Sequence, residues 1–219
     1  MNLVLVGASG HAKLVAEAVE TDGRNRIAGL VDSFKCPGPT DLDHDILGSI
    51  ADLPKIMRRY DVGGGLVAIG DNWTRARIAA EILSVAPGFT FVNAVHAGAQ
   101  VSRRAVIGIG NVFMAGAAVN AGCTIHNGCF VSTHASLDHD SVMESYSSLG
   151  PGTTTGGNVK VGPYTAIALG ANIVHGVSIG EQTVVGAGAL VLDDIPGYVV
   201  AYGIPARVIR TRVAGDRYL

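Results

Sequence analysis

Residues 113–149 read FMAGAAVNAGCTIHNGCFVSTHASLDHDSVMESYSSL, with a large apolar residue at every sixth position from Phe113 to Leu149. The spacing extends back to Val95 and on to Val191, giving 17 positions. Sixteen of them are Val, Ile, Leu, Met or Phe, where composition alone would give about five. A small or β-branched residue follows four positions after each of the first 16, except at Asn111. This six-residue rule predicts a parallel β-helix whose flat faces stack coil on coil.

Composition limits the class of protein. Thirty of the 219 residues are Gly without a Gly-x-y period, which excludes collagen. A net charge of −2 leaves no basic surface for nucleic acid, so no nucleic-acid partner is expected. Three cysteines do not make a disulfide framework and suggest a reducing compartment. The opening MNLVLVGASGH lacks the features of a secretory signal, so a cytoplasmic location is expected.

Residues 105–137 contain no Asp, Glu, Lys or Arg, a pattern that a hydropathy scan takes for a membrane span. The stretch is rich in Gly, Asn, Ser, Thr and His, and lacks the roughly 20 apolar residues that a spanning helix requires. No membrane insertion is therefore expected. Tightly wound coils need small corner residues and tolerate few long side chains, which accounts for the missing charges.

The charges divide the chain into two parts. Residues 1–94 hold 20 of the 34 charged residues, whereas residues 95–194 hold nine, so we place a domain boundary near residue 94. In the first part, strand and helix patterns alternate, which predicts a small parallel α/β sheet with crossover helices. The predicted strands are Leu3–Val6, Ile27–Asp32, Leu66–Gly70 and Phe89–Val95, and the predicted helices are Ala12–Glu20, Ser49–Arg59 and Asn72–Val85.

Five motifs together carry a resemblance that covers essentially the whole chain: GASGHAKLV, VAIGDN, LDHDSV, VVGAGALVLDDIP and GIPARVI. The chain resembles the left-handed β-helix acyltransferases, and within them the nucleotide-sugar N-acetyltransferases, with the sialic acid O-acetyltransferases as close relatives. The resemblance implies a Rossmann-like nucleotide-sugar-binding domain over residues 1–94. A left-handed β-helix acetyltransferase domain with a C-terminal tail would follow over residues 95–219. It further implies acetyl-CoA as donor and a homotrimer with sites between subunits.

The motif Gly7-Ala8-Ser9-Gly10-His11 follows a strand and opens a helix, where backbone N–H groups and the helix dipole favour an anion. It is not the G-x-G-x-x-G dinucleotide fingerprint, and a plain strand-to-helix turn is the structural alternative. The resemblance implies nucleotide-sugar contacts at strand ends, where open α/β sheets bind ligands. The implied contacts are Ser9, Gly10, His11, Asp32, Ser33 and Gly70. Several relatives have an acidic residue in place of Ser33, so the sequence does not identify the base of the nucleotide.

His139 lies in the sequence Leu137-Asp138-His139-Asp140. Acetyl transfer from a thioester to an amine requires a base for the amine proton and donors for the oxyanion, and neutral His suits the first task at pH 7. The resemblance makes His139 the general base and Asp140 the residue that raises its basicity. Consecutive strand residues point to opposite faces, so Asp140 reaches the imidazole only where a corner bends the chain.

For acetyl-CoA the resemblance implies contacts at Ser148, Leu169 and Ala187, the last two through backbone amides. Ser148 stands where relatives often carry a second His, and Ser132 where they often carry Asn. Cys123 and Cys129 occupy small inward positions and are interpreted as core residues. Arg207, after the last coil, either faces the coenzyme A phosphates or is solvated.

Three other functions are open to the same residues. O-acetylation of a sialic acid or related sugar needs the same base. A zinc lyase would use His134 and His139, but no third His lies 18 or 36 residues before either, so no metal is expected. A non-catalytic β-helix that only binds or trimerises is the third possibility.

Overall fold

The computed structural model describes residues 1–218. Its first part is a parallel five-stranded sheet in the order β3-β2-β1-β4-β5. Helices α1, α2 and α3 connect the strands, and a short 3₁₀ turn, Ile50–Asp52, precedes α2. The elements are β1 Asn2–Val6, α1 Gly10–Asp22, β2 Arg26–Val31, β3 Ile46–Gly48, α2 Leu53–Tyr60, β4 Val62–Val67, α3 Asn72–Val85 and β5 Thr90–Phe91.

The predicted alternation of strands and helices is confirmed, but some bounds differ. Strand β4 begins four residues earlier than predicted, at Val62, and ends at Val67, so Gly70 lies beyond it. Residue propensities did not indicate the first part of β4, because it contains three glycines and Gly is rare in strands. Packing requires them, since a Cβ on Gly65 would lie 1.9 Å from the Val4 carbonyl oxygen. Strand β3 was not predicted at all.

The second part is a column of 17 two-residue strands, β6 to β22. The second residue of each strand occupies the predicted inward position of the six-residue rule, from Val95 to Val191, and is large and apolar in every strand except Thr154–Thr155. The strands are Ala94–Val95, Gln100–Val101, Val106–Ile107, Val112–Phe113, Ala118–Val119, Thr124–Ile125, Phe130–Val131, Ser136–Leu137, Val142–Met143, Ser148–Leu149, Thr154–Thr155, Lys160–Val161, Ala166–Ile167, Asn172–Ile173, Ser178–Ile179, Val184–Val185 and Leu190–Val191.

Every third strand of the column pairs in parallel, and paired residues are 18 apart, as in Ala118 with Ser136. Three sheets result, which we call face 1 (β6, β9, β12, β15, β18, β21), face 2 (β7, β10, β13, β16, β19, β22) and face 3 (β8, β11, β14, β17, β20). The large and small inward residues form one buried core that includes Cys123 and Cys129. Both cysteines are free thiols, in agreement with their interpretation as core residues.

A left-handed backbone residue turns most corners of the column. From residue 110 to residue 188, every sixth residue has φ between 53° and 79°. Eight of these 14 residues are Gly, and the others include His134, Asp140 and Asn158. Gly, Asn, Asp and His are the residues found most often in this conformation. Each coil of 18 residues therefore has three corners.

The last part of the chain is an antiparallel hairpin rather than the expected tail. Strands β23 (Val199–Gly203) and β24 (Ala206–Thr211) extend face 1, with Ile204 and Pro205 at the turn. Arg207 lies on β24 with its side chain exposed, donating to the Ala206 carbonyl oxygen. The six-residue rule ends at Val191, so it gave no sign of this hairpin.

Helix α3 joins the two parts of the chain through buried polar side chains. Arg75 is buried and donates to the carbonyl oxygens of Gly70 and Gly128, at 2.9 and 2.8 Å. The Asn72 side-chain amide donates to Ser148 Oγ and to the Thr165 carbonyl oxygen, at 3.1 and 3.0 Å. Helix α1 also packs on face 1. Among residues 1–218 there is no helix with the length and apolar character to cross a bilayer.

The inward position of each hexapeptide should dominate stability. Leu137 is fully buried, whereas Leu83 on helix α3 is 45% exposed. We expect Leu137→Ala to lower the free energy of unfolding by about 2–5 kcal/mol because it leaves a cavity. Leu83→Ala should change it by less than about 0.5 kcal/mol. Urea unfolding followed by circular dichroism measures both, and equal losses would contradict the assignment of the core.

Candidate active site

The implied substrate contacts of the first part gather at the carboxyl ends of β1, β2 and β4. Ser9 and Gly10 are exposed at the start of α1, and Ser9 makes no side-chain capping bond. The Asp32 carboxylate accepts from the Ala8 N–H at 3.0 Å and so ties the two loops together. Ser33 Oγ accepts a long bond of 3.4 Å from the Ile50 N–H. The structure therefore brings these residues to one edge of the sheet, with free N–H groups at a helix start.

A cavity of about 320 Å³ lies between this edge and face 1. Four implied contacts line it: His11 and Gly70 from the first part, and Ser148 and Leu169 from the column. Ser132 lines it too, so both positions that depart from relatives face the same space. Ser9, Gly10, Asp32, Ser33 and Ala187 are not among its lining residues.

His11 is the main polar side chain from α1 in this cavity. Its ring packs against Phe130, with 4.3 Å between centroids, and its Nε2 is buried without a partner in the described chain. Burial, with a smaller contribution from the Arg75 charge, lowers the pKa of His11 from 6.5 to about 4. The imidazole is therefore neutral at pH 7, and its unpartnered nitrogen is available to a polar group of a ligand.

His139 and Asp140 form a hydrogen-bonded pair on the corner between faces 2 and 3. Asp140 has φ 56°, so the chain bends at this residue and the two side chains meet. His139 Nδ1 donates to Asp140 Oδ2 at 2.8 Å, which leaves Nε2 as the basic nitrogen. Both side chains are more than half exposed. The bond to Asp140 raises the pKa of His139 from its usual value.

Neighbouring groups hold this corner in place. Asp138 Oδ1 accepts from the His139 N–H at 2.8 Å and from the Asn120 amide at 2.6 Å, and the latter bond lowers the pKa of Asp138. The buried Ser141 hydroxyl donates to the His139 carbonyl oxygen at 3.3 Å. Because the backbone on both sides of His139 is bonded, the imidazole projects from a fixed point of the column.

One chain does not bring the base and the cavity together. The cavity borders face 1 and the corner between faces 1 and 2, while His139 projects from the opposite edge of face 2. Leu169 and Ala187 stack on the first of these corners, and both are exposed. The Leu169 carbonyl oxygen accepts from the Gly188 N–H at 2.9 Å. The implied acetyl-CoA contacts and the candidate base thus lie on two different corners of the column.

Sequence reasoning missed several residues around the cavity. Asn72, Arg75, Met114, Phe130 and Tyr218 either line it or support its walls. Asn72 ends the VAIGDN motif, and its neighbour Asp71 caps α3 by accepting from the Thr74 N–H at 2.8 Å. A signal was available, since Asn72 and Arg75 lie three residues apart and so on one face of a helix. Within residues 1–218, no three His, Cys, Asp or Glu side chains converge as metal ligands.

Comparison with known proteins agrees with this architecture. Residues 2–82 match the family model of the PglD N-terminal domain. The perosamine N-acetyltransferase PerB of Caulobacter crescentus, solved with CoA and GDP-perosamine, is 35% identical, with a TM-score of 0.89 over 96% of this chain and 98% of its own. The acetyltransferase domain of PglB from Neisseria gonorrhoeae, solved with acetyl coenzyme A, is 30% identical, with a TM-score of 0.86 over 95% and 98%.

Curated relatives extend the comparison. A putative acetyltransferase of Schizosaccharomyces pombe is 30% identical over 190 residues, which are 77% of this chain and 84% of that protein. Galactoside O-acetyltransferase of Escherichia coli is 47% identical over only 57 residues. The chain spans a quarter to about half the length of the first curated relatives that it matches.

The fold and the site define a hexapeptide-repeat acetyltransferase. The chain belongs to the family of left-handed β-helix acetyltransferases that includes PerB and the acetyltransferase domain of PglB. The expected α/β sheet followed by a left-handed β-helix is confirmed.

Burial of neutral His11 should make stability depend on pH. Its pKa in the folded state is below its unfolded value, so the unfolded chain binds the extra proton between pH 6.5 and about 4. The contribution of neutral His11 to the free energy of unfolding is complete above pH 6.5 and is lost as the pH falls toward 4. We expect His11→Asn to remove up to about 3 kcal/mol of this pH dependence. Urea unfolding at intervals from pH 7.5 to 4 measures it, and parallel curves for both proteins would contradict the burial argument.

Proposed function

We propose that this protein transfers the acetyl group of acetyl-CoA to the amine of a nucleotide-linked amino sugar. The observation that carries the proposal is the His139–Asp140 pair on the column, together with a cavity lined from both parts of the chain. PerB, similar over nearly its whole length, was solved with CoA and GDP-perosamine. In two further structures of the same enzyme a single histidine is replaced, by Asn or by Ala.

The chemistry needs few protein groups. Acetyl-CoA supplies an acyl group that is already activated as a thioester. His139 Nε2 accepts a proton from the amine as the sugar nitrogen bonds to the carbonyl carbon. The carbon–sulfur bond then breaks, and the leaving thiolate takes up a proton, from the imidazolium or through solvent, to give free coenzyme A. The Asp140 carboxylate holds the Nδ1–H tautomer and stabilises the imidazolium that forms. His11, Gly70, Ser148 and Leu169 would hold the two substrates, with Ser9, Gly10, Asp32 and Ser33 toward the nucleotide.

A homotrimer would complete this site. The base and the cavity lie at opposite edges of face 2, so a second copy must supply one of them. Both edges expose apolar side chains suited to such contact: Leu169 is 59%, Leu192 46% and Val174 37% exposed. Three copies around one axis give three equivalent sites. A cytoplasmic location would provide both acetyl-CoA and the nucleotide sugar.

O-acetylation of a sialic acid or a related sugar is the second candidate. The same base serves a hydroxyl, and the matched galactoside O-acetyltransferase has such an activity in its name. The share of this chain that each protein matches favours an amine as the acceptor of the acetyl group. PerB matches 96% of this chain, whereas the galactoside O-acetyltransferase matches only 26%.

The reaction is tested with acetyl-CoA and a panel of UDP- and GDP-linked amino sugars and of sialic acids, following free thiol. We expect release with an amino sugar nucleotide and a loss of about 10²- to 10⁴-fold in kcat for His139→Ala, with acetyl-CoA binding retained. Asp140→Asn should lower the pKa of His139, so the acid limb of kcat/KM moves to lower pH and the maximum falls. Thiol release with sialic acids alone would favour O-acetylation, and full activity of His139→Ala would refute the assigned base.

Mixed oligomers test the shared site. Ser132→Trp should fill the cavity, and His139→Ala removes the base; each alone should be nearly inactive. If each site combines the base of one copy with the cavity of another, random mixing at equal amounts restores both groups in about a quarter of the sites. Native mass spectrometry establishes that three copies assemble and mix. No recovery in mixed trimers would place the whole site within one chain.

A further inference from the structure

The ring of His139 rests on Gly157, the residue 18 positions further along the same corner. A Cβ on Gly157 would lie 2.4, 2.5 and 2.8 Å from Nε2, Cε1 and Cδ2 of the imidazole. A point in the ring plane beyond Nε2 would be much farther from both carbons than from the nitrogen. The similar distances therefore place this point over the face of the ring, at its outer half. No real Cβ is accommodated so close to another atom.

The turn itself does not require glycine at this position. Gly157 precedes the left-handed residue Asn158, and its own φ is outside the left-handed region. Every sixth residue from Ala97 to Ala187 occupies the equivalent position, and Gly157 is the only glycine among these 16. The others include Thr133, Pro151 and Leu169. The absence of a side chain is thus specific to the coil that covers His139.

The neighbouring backbone fixes the separation between the ring and Gly157. The Asn158 N–H donates to the His139 carbonyl oxygen at 2.8 Å, so the two coils cannot move apart without losing this bond. On the other side, Asp140 Oδ1 lies over Gly122, where a Cβ would be 2.2 Å away. The base and its carboxylate therefore occupy a notch between two glycines from adjacent coils.

We propose that Gly157 is a positioning residue for the acetyl transfer proposed above: its bare backbone supports the imidazole face and keeps Nδ1 on Asp140. The inference rests on the proposed function for its kinetic consequence only, because the position of the ring can be measured directly. A methyl group at residue 157 pushes the ring off Asp140 and displaces Nε2. A displacement of about 1 Å can reduce catalysis on the order of 100-fold.

The test compares Gly157→Ala with Gly88→Ala, whose new Cβ meets no atom within 4 Å and whose φ is also outside the left-handed region. We expect Gly157→Ala to lower kcat by about 10- to 100-fold with KM values changed less than about twofold. Gly88→Ala should retain the wild-type kcat. A wild-type kcat for Gly157→Ala would overturn the inference.

A double variant separates positioning from general damage. If Gly157 acts through the imidazole, Gly157→Ala in the His139→Ala background should cause no further loss of kcat, and any loss of Tm in Gly157→Ala should be recovered. If Gly157→Ala lowered kcat in the His139→Ala background by the same factor as in the wild-type protein, its effect would not pass through the imidazole. That result would overturn the proposal.

The NMR titration of His139 needs no substrate. The groups that face the ring are Asp138 and Asp140 on its own coil, and His175, whose ring centroid is 6.1 Å away. Loss of the Asp140 bond should lower the pKa of His139 in Gly157→Ala, and an unchanged pKa would refute the displacement. If the wild-type protein showed no transfer activity, but Gly157→Ala still lowered the pKa of His139, the proposed function would be refuted. The role of Gly157 in positioning the imidazole would then remain established.

Discussion

The 18-residue register of the column is the constraint on which the site depends. Each coil bonds to the next through parallel two-residue strands, and a left-handed residue turns each corner from residue 110 to residue 188. Residues 18 apart are therefore stacked, so a side chain on one coil is limited by the residue directly above or below it. His139, Gly157 and His175 form one such stack, and Gly122 and Asp140 another. A functional group on this scaffold is defined by its neighbours in the stack as much as by those in sequence.

The column was predictable from sequence because its core has a regular period: in 16 of the 17 strands the second residue is the large apolar residue of the six-residue rule, and Thr155 is the exception. The contact of Asp140 with His139 was expected from the resemblance alone, since strand alternation argues against it unless a corner bends the chain there. The sequence signal for a corner lies three positions after each large residue, as Asp140 lies after Leu137. Gly, Asn, Asp and His recur at these positions. Strand β4 was masked by its glycines. The three-residue spacing of Asn72 and Arg75 indicates a shared helix face, but it does not indicate their contacts with the column that shape the cavity.

Arg75 explains how the cavity keeps its shape and its charge. The guanidinium is buried and bonds to the carbonyl oxygens of Ile69, Gly70 and Gly128 rather than to a carboxylate. Its positive charge is therefore not cancelled locally, and it disfavours a second charge on His11. The same side chain fixes the loop after β4 to the column. Arg75 thus supports the shape of the cavity and adds to the effect of burial that keeps His11 neutral.

The two histidines of the site are held in opposite electrostatic states. Burial keeps His11 neutral, whereas His139 is exposed and its bond to Asp140 favours the proton. A buried neutral imidazole can donate or accept one hydrogen bond without drawing a proton from an amine, as binding requires. An exposed imidazole beside a carboxylate accepts a proton and returns it to solvent, as turnover requires. One chain can hold both states because His11 lies beside face 1, whereas His139 projects from the opposite edge of face 2.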